Sequence, residues 1–493
     1  MTYSRATLLS VILLAGCAAE PGPFDAWIER DPDTWQLGEQ GAIHAQHTLL
    51  TTPSADANEL PDRAGAEAYV RLALARNPLI RAAQSKVQRL AARIPQETSL
   101  DDPMFEITPV GDMAETAAGM VGLMTGVSQK VPFPGKLATR GKIAQQDVAM
   151  AEQELAQMRL DVVADTRQAY WSYYFATQAL EVMRQNRALF AQFRDAADAR
   201  YRANLASQQD VLRASVELSE LENELITLEQ QRSTAAAMLN SLMDRAVTAA
   251  LPAPKPVELE KVSLALDDLL RQAAEASPEL GKLTQRLEGE RQRMKLARLA
   301  RLPDFSVGVA YAAVDDEGLS PIANGQDQWW VTFGFSLPIW ADKLAAGERE
   351  AYHGLGEAIA ELTGARNRVA FRVQDALVKV QTQERLVVLF RDVILPQARQ
   401  TVEASTSGYQ AGSIDFLTLV DNWRNLLNYQ LLYHQSLSEL EKSFAALQQA
   451  VGRDVARGMP TSVGMEPSES KNEERGTKNA VSPSTTPGNG AGE

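Results

Sequence analysis

The chain repeats itself. Three landmarks occur twice, the members of each pair about 200 residues apart, which is the signature of a duplicated architecture. "RNPLIRAAQ" at 76–84 echoes "ASPELGKLTQ" at 276–285, "KVPFPGKL" at 130–137 echoes "FSLPIWADKL" at 335–344, and "RYRANLASQQDVL" at 200–212 echoes "GYQAGSIDFLTLV" at 408–420. The proline-rich stretch "LPAPKPVELEKV", 251–262, separates repeat 1 (65–250) from repeat 2 (263–455).

Each half reads as helix, strand pair, very long helix, turn and helix. The spans are 68–94, 103–131, 137–200 and 208–245 in the first half, and 267–301, 304–338, 343–406 and 415–452 in the second. The helices carry coiled-coil spacing. Leu218, Leu221, Leu225, Leu228, Ala235, Leu239 and Leu242 fall at steps of three and four, with Arg232 the one lapse. Val148, Ala151, Leu155, Met158 and Val162 do the same in the long helix, and Leu437, Leu440, Phe444, Leu447 and Val451 in the last one. The short helix and the post-turn helix together match the long helix in length. Two shorter helices stacked end to end would therefore lie along a rod of about 100 Å, at about 1.5 Å rise per residue. A globular domain has no use for four such rods; a tube does.

The strand pairs say where the tube ends. Phe305, Val307, Val309 and Tyr311 share one face, and Ser306, Gly308, Ala310 and Ala312 the other. Trp329, Val331, Phe333, Phe335 and Leu337 alternate with Trp330, Thr332, Gly334 and Ser336; Val121, Leu123, Val127 and Val131 alternate with Gly122, Gly126, Ser128 and Lys130. This is the dyad pattern of a membrane barrel, apolar toward lipid and small or polar toward water. A soluble hairpin on a core shows the same alternation; the paired rods favour the barrel. Four strands cannot close a barrel with a lumen, since closure needs about eight. Three copies of the chain supply twelve, so the pattern predicts a trimer. Pro132, Pro134 and Gly135 in the first repeat and Pro338 in the second mark the corner where strand gives way to helix, because proline has no N–H for the ladder. Lys136 and Lys343, which open the long helices, are expected at the membrane–water boundary.

Bulk properties narrow the function. The net charge of −14 argues against nucleic acid as a partner. No apolar run reaches the roughly 18–20 residues of a spanning helix, so a bilayer can be crossed only with strands. The single cysteine, Cys17, follows "MTYSRATLLSVILLAG": Arg5, an apolar stretch from Ala6 to Leu14, then small residues. Residues 1–17 resemble a bacterial lipoprotein signal in which Cys17 becomes the lipidated first residue; the plainer alternative is an ordinary signal peptide. Ala18 rather than aspartate follows, which favours the outer membrane. Residues 18–64 are irregular, and 456–493, rich in Ser, Pro, Gly, Thr, Glu and Lys, are expected to be disordered. His44 and His47, in the irregular stretch without nearby cysteines, read as solvated rather than metal-binding. No catalytic constellation, cofactor motif or metal site is evident, so the chain is not expected to be an enzyme.

On these residues the sequence resembles the TolC-like outer membrane efflux family over roughly 65–455. The marks are the duplication, the corner from Gln129 to Lys136 ("QKVPFPGK"), and the turns at 201–204 and 409–412. The lipoprotein signal and the "FPGK" corner resemble its heavy-metal and drug efflux branch. The resemblance implies a mainly α fold with a membrane β-barrel: a long coiled-coil tunnel plus four strands per chain, twelve in the homotrimer. It implies a passive exit duct anchored in the outer membrane lipid and extending into the periplasm. A periplasmic adaptor and an inner-membrane RND-type pump would be its partners. It also implies a periplasmic gate at the helical turns. Asp210 would contact Tyr409, although Ser207 and Asp210 have the spacing of a capping box. The family's basic partner falls at Ile414 here. Asp421 would ring the constriction; the second acid of that ring falls at Thr418, and Asp415 can substitute, although it reads as a residue of the first helical turn. The bland alternative for these acids is a solvated helix face. The competing function is a lipid-anchored periplasmic coiled-coil scaffold or adaptor, which would carry one helical hairpin rather than two.

Overall fold

The computed structural model describes residues 60–111, 115–257, 263–316, 321–322 and 324–457. Cys17, His44, His47 and nearly all of the 456–493 tail lie outside the described residues.

Repeat 1 begins with α1 (Ala66–Arg76), α2 (Pro78–Ala91) and α3 (Arg93–Thr98), followed by β1 (Met104–Pro109), β2 (Glu115–Thr116) and β3 (Gly119–Val131). Then come α4 (Lys136–Arg202) and α5 (Gln208–Leu242). Repeat 2 gives α6 (Leu266–Ala276), α7 (Pro278–Leu299), β4 (Phe305–Asp315), β5 (Gln328–Phe335), α8 (Ala341–Leu389), a π-helical turn (Phe390–Ile394), α9 (Leu395–Ala411) and α10 (Phe416–Val451). Helix α4 runs unbroken for 67 residues, about 100 Å.

Three expected helices are interrupted, each at a proline. The single helices expected at 68–94 and 267–301 break at Asn77-Pro78 and Ser277-Pro278, because a residue before proline is pushed out of the α region. Asn77 has ψ 123° and Ser277 ψ 117°, and each proline becomes the first residue of the next helix. The helix expected at 343–406 is interrupted by the π turn just ahead of Pro396, which has no N–H to offer Asp392.

End-to-end stacking of the shorter helices is present in both repeats. Asn77 donates from Nδ2 to the Leu242 carbonyl at 3.0 Å, joining the end of α5 to the start of α2. In repeat 2 the junction is backbone on backbone. Gly452, at φ 87°, closes α10 so tightly against α6 that a β-carbon there would lie 2.8 Å from the Ala276 carbonyl oxygen.

The spacing of leucines puts them where the pattern requires. Leu221, Leu225, Leu228, Leu239 and Leu242 of α5 are buried against α4, and Leu437, Leu440, Phe444, Leu447 and Val451 of α10 are buried with α8 and α4. One core gathers around Tyr69, Tyr170, Trp171, Leu239 and Leu440, and a second around Phe190, Leu221, Tyr409, Phe416 and Trp423. Packing follows one order on both sides of the stacking junctions: α2, α4, α7, α8 toward the sheet, and α5, α4, α10, α9 toward the turns.

The four long strands form one antiparallel sheet in the order β1-β3-β4-β5, with β2 as a short addition to β3. The repeats thus join through β3 and β4, in register from Val131 opposite Phe305 to Met120 opposite Asp315, with one irregularity at Gly122. Among the described residues, β1 and β5 each lack a second neighbour, so within one chain the sheet is open at both edges.

Candidate functional site

Cross-strand register sorts the sheet residues into two faces. On one, Phe105, Val127, Val309 and Val331 form a row, flanked by Ile107, Thr125, Tyr311 and Trp329 on one side and by Gln129, Val307 and Phe333 on the other. Phe333 is 77% exposed and Trp329 72% exposed. On the opposite face the rows are Met104, Ser128, Gly308, Thr332 and Glu106, Gly126, Ala310, Trp330. Trp330 and Met104 are the large residues in these rows, which are otherwise small or polar, and Trp330 lies across from Ala310 and in line with Gly126. Among the described residues nothing covers this row of exposed aromatics and aliphatics, which is backed by glycine, serine and threonine.

The two strand-to-helix corners differ more than their sequences do. At the first, Gly135 takes φ 97° and caps α4, a conformation that favours glycine. Lys136 is buried: Nζ donates to Asp304 Oδ1 at 2.7 Å and to the Leu302 carbonyl at 2.9 Å. Asp304 Oδ1 also accepts from the Phe133 N–H at 2.8 Å; the Asp304 N–H donates to Ser336 Oγ and the Ser336 N–H to the Asp304 carbonyl, each at 2.8 Å. Asp304 therefore joins both corners. Burial pushes its carboxyl up, but the Lys136 ammonium and the Phe133 N–H outweigh that and hold it below the usual aspartate range. Lys136, expected at the barrel-to-tunnel corner, is found there as an internal latch, its side chain turned onto Asp304. At the second corner Lys343 is exposed, and Leu337, Ile339 and Trp340 around Pro338 are all exposed as well.

The helical turns at the other end are near-identical loops. Leu205 N–H donates to the Arg200 carbonyl and Asn204 N–H to Tyr201; in repeat 2, Ser413 donates to Gly408 and Gly412 to Tyr409. Asn204 (φ 56°) and Gly412 (φ 75°) hold the left-handed position. Ser207 and Asp210 form the capping box of α5, with bonds of 3.3 Å in both directions. Asp415 is the N-cap of α10, accepting from Thr418 N–H at 2.9 Å, so it lies just outside the helix rather than in its first turn.

Asp210 and Tyr409 are brought near each other but are not hydrogen-bonded. The Tyr409 side chain is buried and its hydroxyl has no hydrogen-bond partner among the described residues, while the Asp210 carboxylate is turned to the capping box. Burial first, and then the nearby Asp210 charge, push the Tyr409 hydroxyl above its ordinary value, with Arg200 opposing. Asp421 is exposed on α10, one position beyond the buried Val420, and among the described residues no cation pairs with it.

Two groups at this end are absent from the expectations drawn from sequence. Arg200, on α4, donates from Nη1 to the Tyr409 and Gln410 carbonyls and lies over the Tyr409 ring. Glu217 of α5 is buried and forked onto Arg424 of α10, with Glu220 joining at 3.2 Å. The sequence signal for Arg200 was the break in the repeat, where the arginine of one turn is Gly408 in the other.

Among the described residues no helix is long and apolar enough to cross a membrane, and no group of three or more His, Cys, Asp or Glu side chains is placed to hold a metal ion.

A sequence model of the family described as outer membrane efflux protein matches residues 69–244 and 269–453. The cobalt-zinc-cadmium resistance protein CzcC of Cupriavidus metallidurans is 23% identical over 396 residues, covering 78% of this chain and 90% of that protein. Among solved structures, CusC superimposes with a TM-score of 0.68 at 17% identity, covering 79% of this chain and 92% of that one. The outer membrane protein VceC of Vibrio cholerae does so with a TM-score of 0.66 at 18% identity, covering 79% and 96%. Matched through both of its repeats, and folded as these channel proteins are, the chain belongs to the outer membrane efflux protein family.

Proposed function

We propose that three copies of this chain form the passive exit duct of a tripartite efflux system. The observation that carries this is the sheet: apolar and exposed on one face, small and polar on the other, and open at both edges. Pairing β5 of one copy with β1 of the next closes a twelve-stranded barrel without leaving an unpaired edge, lipid outside and water within. The order α2, α4, α7, α8 matches the strand order, so each column of helix continues one strand and the barrel runs on into a tunnel in the periplasm. The duct needs no catalytic group, since a pump in the inner membrane supplies the energy and a periplasmic adaptor joins the two. The lipid on Cys17 supplements the barrel as an anchor. The relative named for cobalt, zinc and cadmium resistance supports heavy-metal cations as cargo.

The test is extraction of outer membranes in mild detergent. The duct reading expects a trimer by light scattering, heat-modifiable migration in electrophoresis, and conductance when the trimer is added to a planar bilayer. A monomer released by removal of its lipid anchor alone, with no conductance, would refute it.

A further inference from the structure

We propose that Lys343 of one copy latches onto Asp102 of the next, so that the seam between copies repeats the junction that β3 and β4 make inside each chain; this rests on the duct reading above. The first corner shows what such a corner needs. It is covered by the segment between α7 and β4. Lys136 Nζ donates to Asp304 Oδ1 at 2.7 Å and to the Leu302 carbonyl at 2.9 Å, and the Phe133 ring stacks on Phe305 with centroids 6.3 Å apart. The second corner carries similar groups without such a cover. Trp340 is 71% exposed, and Leu337 and Ile339 are exposed as well. Lys343 is exposed and has no hydrogen-bond or ion-pair partner among the described residues.

A matching cover exists elsewhere in the chain. "SLDD" at 99–102 is the counterpart in repeat 1 of "RLPD" at 301–304, about 200 residues on. One leads from α3 into β1 and the other from α7 into β4, so Leu100 answers to Leu302 and Asp102 to Asp304. In repeat 1 nothing meets them: Leu100 is 46% exposed, and Asp102 is exposed and unpaired among the described residues. The two unfilled halves lie at opposite edges of the sheet, the corner behind β5 and the acid ahead of β1. Placing β5 beside the next copy's β1 sets them side by side in the order that β3 and β4 have within one chain. Lys343 stands one residue farther from its proline than Lys136 does, which a flexible four-carbon stem can span. A surface with complementary halves at its two ends joins copies head to tail and closes as a ring.

The experiment uses the full-length protein in mild detergent, with light scattering to separate trimer from monomer. Lys343→Asp and Asp102→Lys each set like charges across the seam and should raise the monomer fraction about tenfold. The double variant Asp102→Lys/Lys343→Asp exchanges the ends of the pair and should return to within about twofold of the parent. Asp101→Lys, whose counterpart is Pro303, should also stay within about twofold. Both groups of the pair are exposed within one protomer, so these changes should leave the unfolding of the separated protomer where it is. In the Asp102→Cys/Lys343→Cys double variant a short bifunctional maleimide should link copies into covalent dimers and trimers on denaturing electrophoresis, and neither single variant should be linked. No cross-link in a conducting trimer, or charge-reversed single variants at the parent's monomer fraction, rejects the pair and leaves the duct standing. A parent that is monomeric and does not conduct refutes the duct reading, and the seam falls with it.

Discussion

Replacing Lys136 by Met keeps the length of the side chain and removes its charge and donors. The structure sets the size of the effect. The Lys136 side chain is 10% exposed and Asp304 24% exposed, with 2.7 Å between Nζ and Oδ1. Removing one partner of a fully buried pair costs about 3–5 kcal/mol, and an exposed pair is worth about 0–1 kcal/mol. Asp304 keeps about a quarter of its surface, so the expected loss is roughly 3 kcal/mol, the low end of the buried range. Asp304→Asn should cost less, because the amide oxygen can still accept from Phe133 N–H. The double variant should be more stable than the two single losses added together, with a coupling of roughly 2 kcal/mol. Urea unfolding of the separated protomers in detergent, followed by circular dichroism, measures all four proteins. Lys343→Met, at the matching corner but exposed, is the internal control and should fall within about 0.5 kcal/mol of the parent. The sign with pH follows from Asp304. Its folded pKa is lowered, so the stability it contributes is full above the ordinary aspartate value of about 3.9 and lost as pH falls through the folded value. The cycle repeated at low pH should thus show weaker coupling. Coupling near zero at pH 7, or equal losses for Lys136→Met and Lys343→Met, would refute the latch.

The sheet faces can be separated by charge. Val307→Lys or Phe333→Lys should impair assembly by about 2–4 kcal/mol at mid-bilayer depth, whereas Thr332→Lys, on the opposite face, should assemble; equal tolerance in heat-modifiable migration would remove the barrel. Asp421→Asn keeps side-chain size and removes three charges per trimer, so it should lower cation preference and weaken block by trivalent cations in planar bilayers; unchanged selectivity would make Asp421 a surface acid. Cys17→Ser should abolish incorporation of labelled fatty acid, and retained label would show that the anchor lies elsewhere.

The helices, the strands and their doubling were legible because they rest on period. Leucines at steps of three and four and alternation along strands are local rules, and they place α5, α10, β4 and β5 within a few residues of where they stand. The interruptions were legible too, in principle: Asn77-Pro78, Ser277-Pro278 and Pro396 break helices for reasons of backbone sterics that the sequence displays. The capping box of Ser207 and Asp210 is likewise a short-range pattern.

What only the tertiary structure decided is which like-looking residues do unlike things. Lys136 and Lys343 follow matching corners, yet one is buried on Asp304, 168 residues away along the chain, and the other faces solvent. Tyr201 and Tyr409 occupy the same place in the same loop, yet Arg200 covers only the second. The resemblance implied a contact from Asp210 to Tyr409, but the Asp210 carboxylate accepts from the Ser207 N–H. Duplication gives both repeats the same local code. Packing them side by side through β3 and β4 gives each corner and each turn a different neighbour, and a side chain's partner is set by that neighbour's donors, acceptors and shape, which no local period encodes.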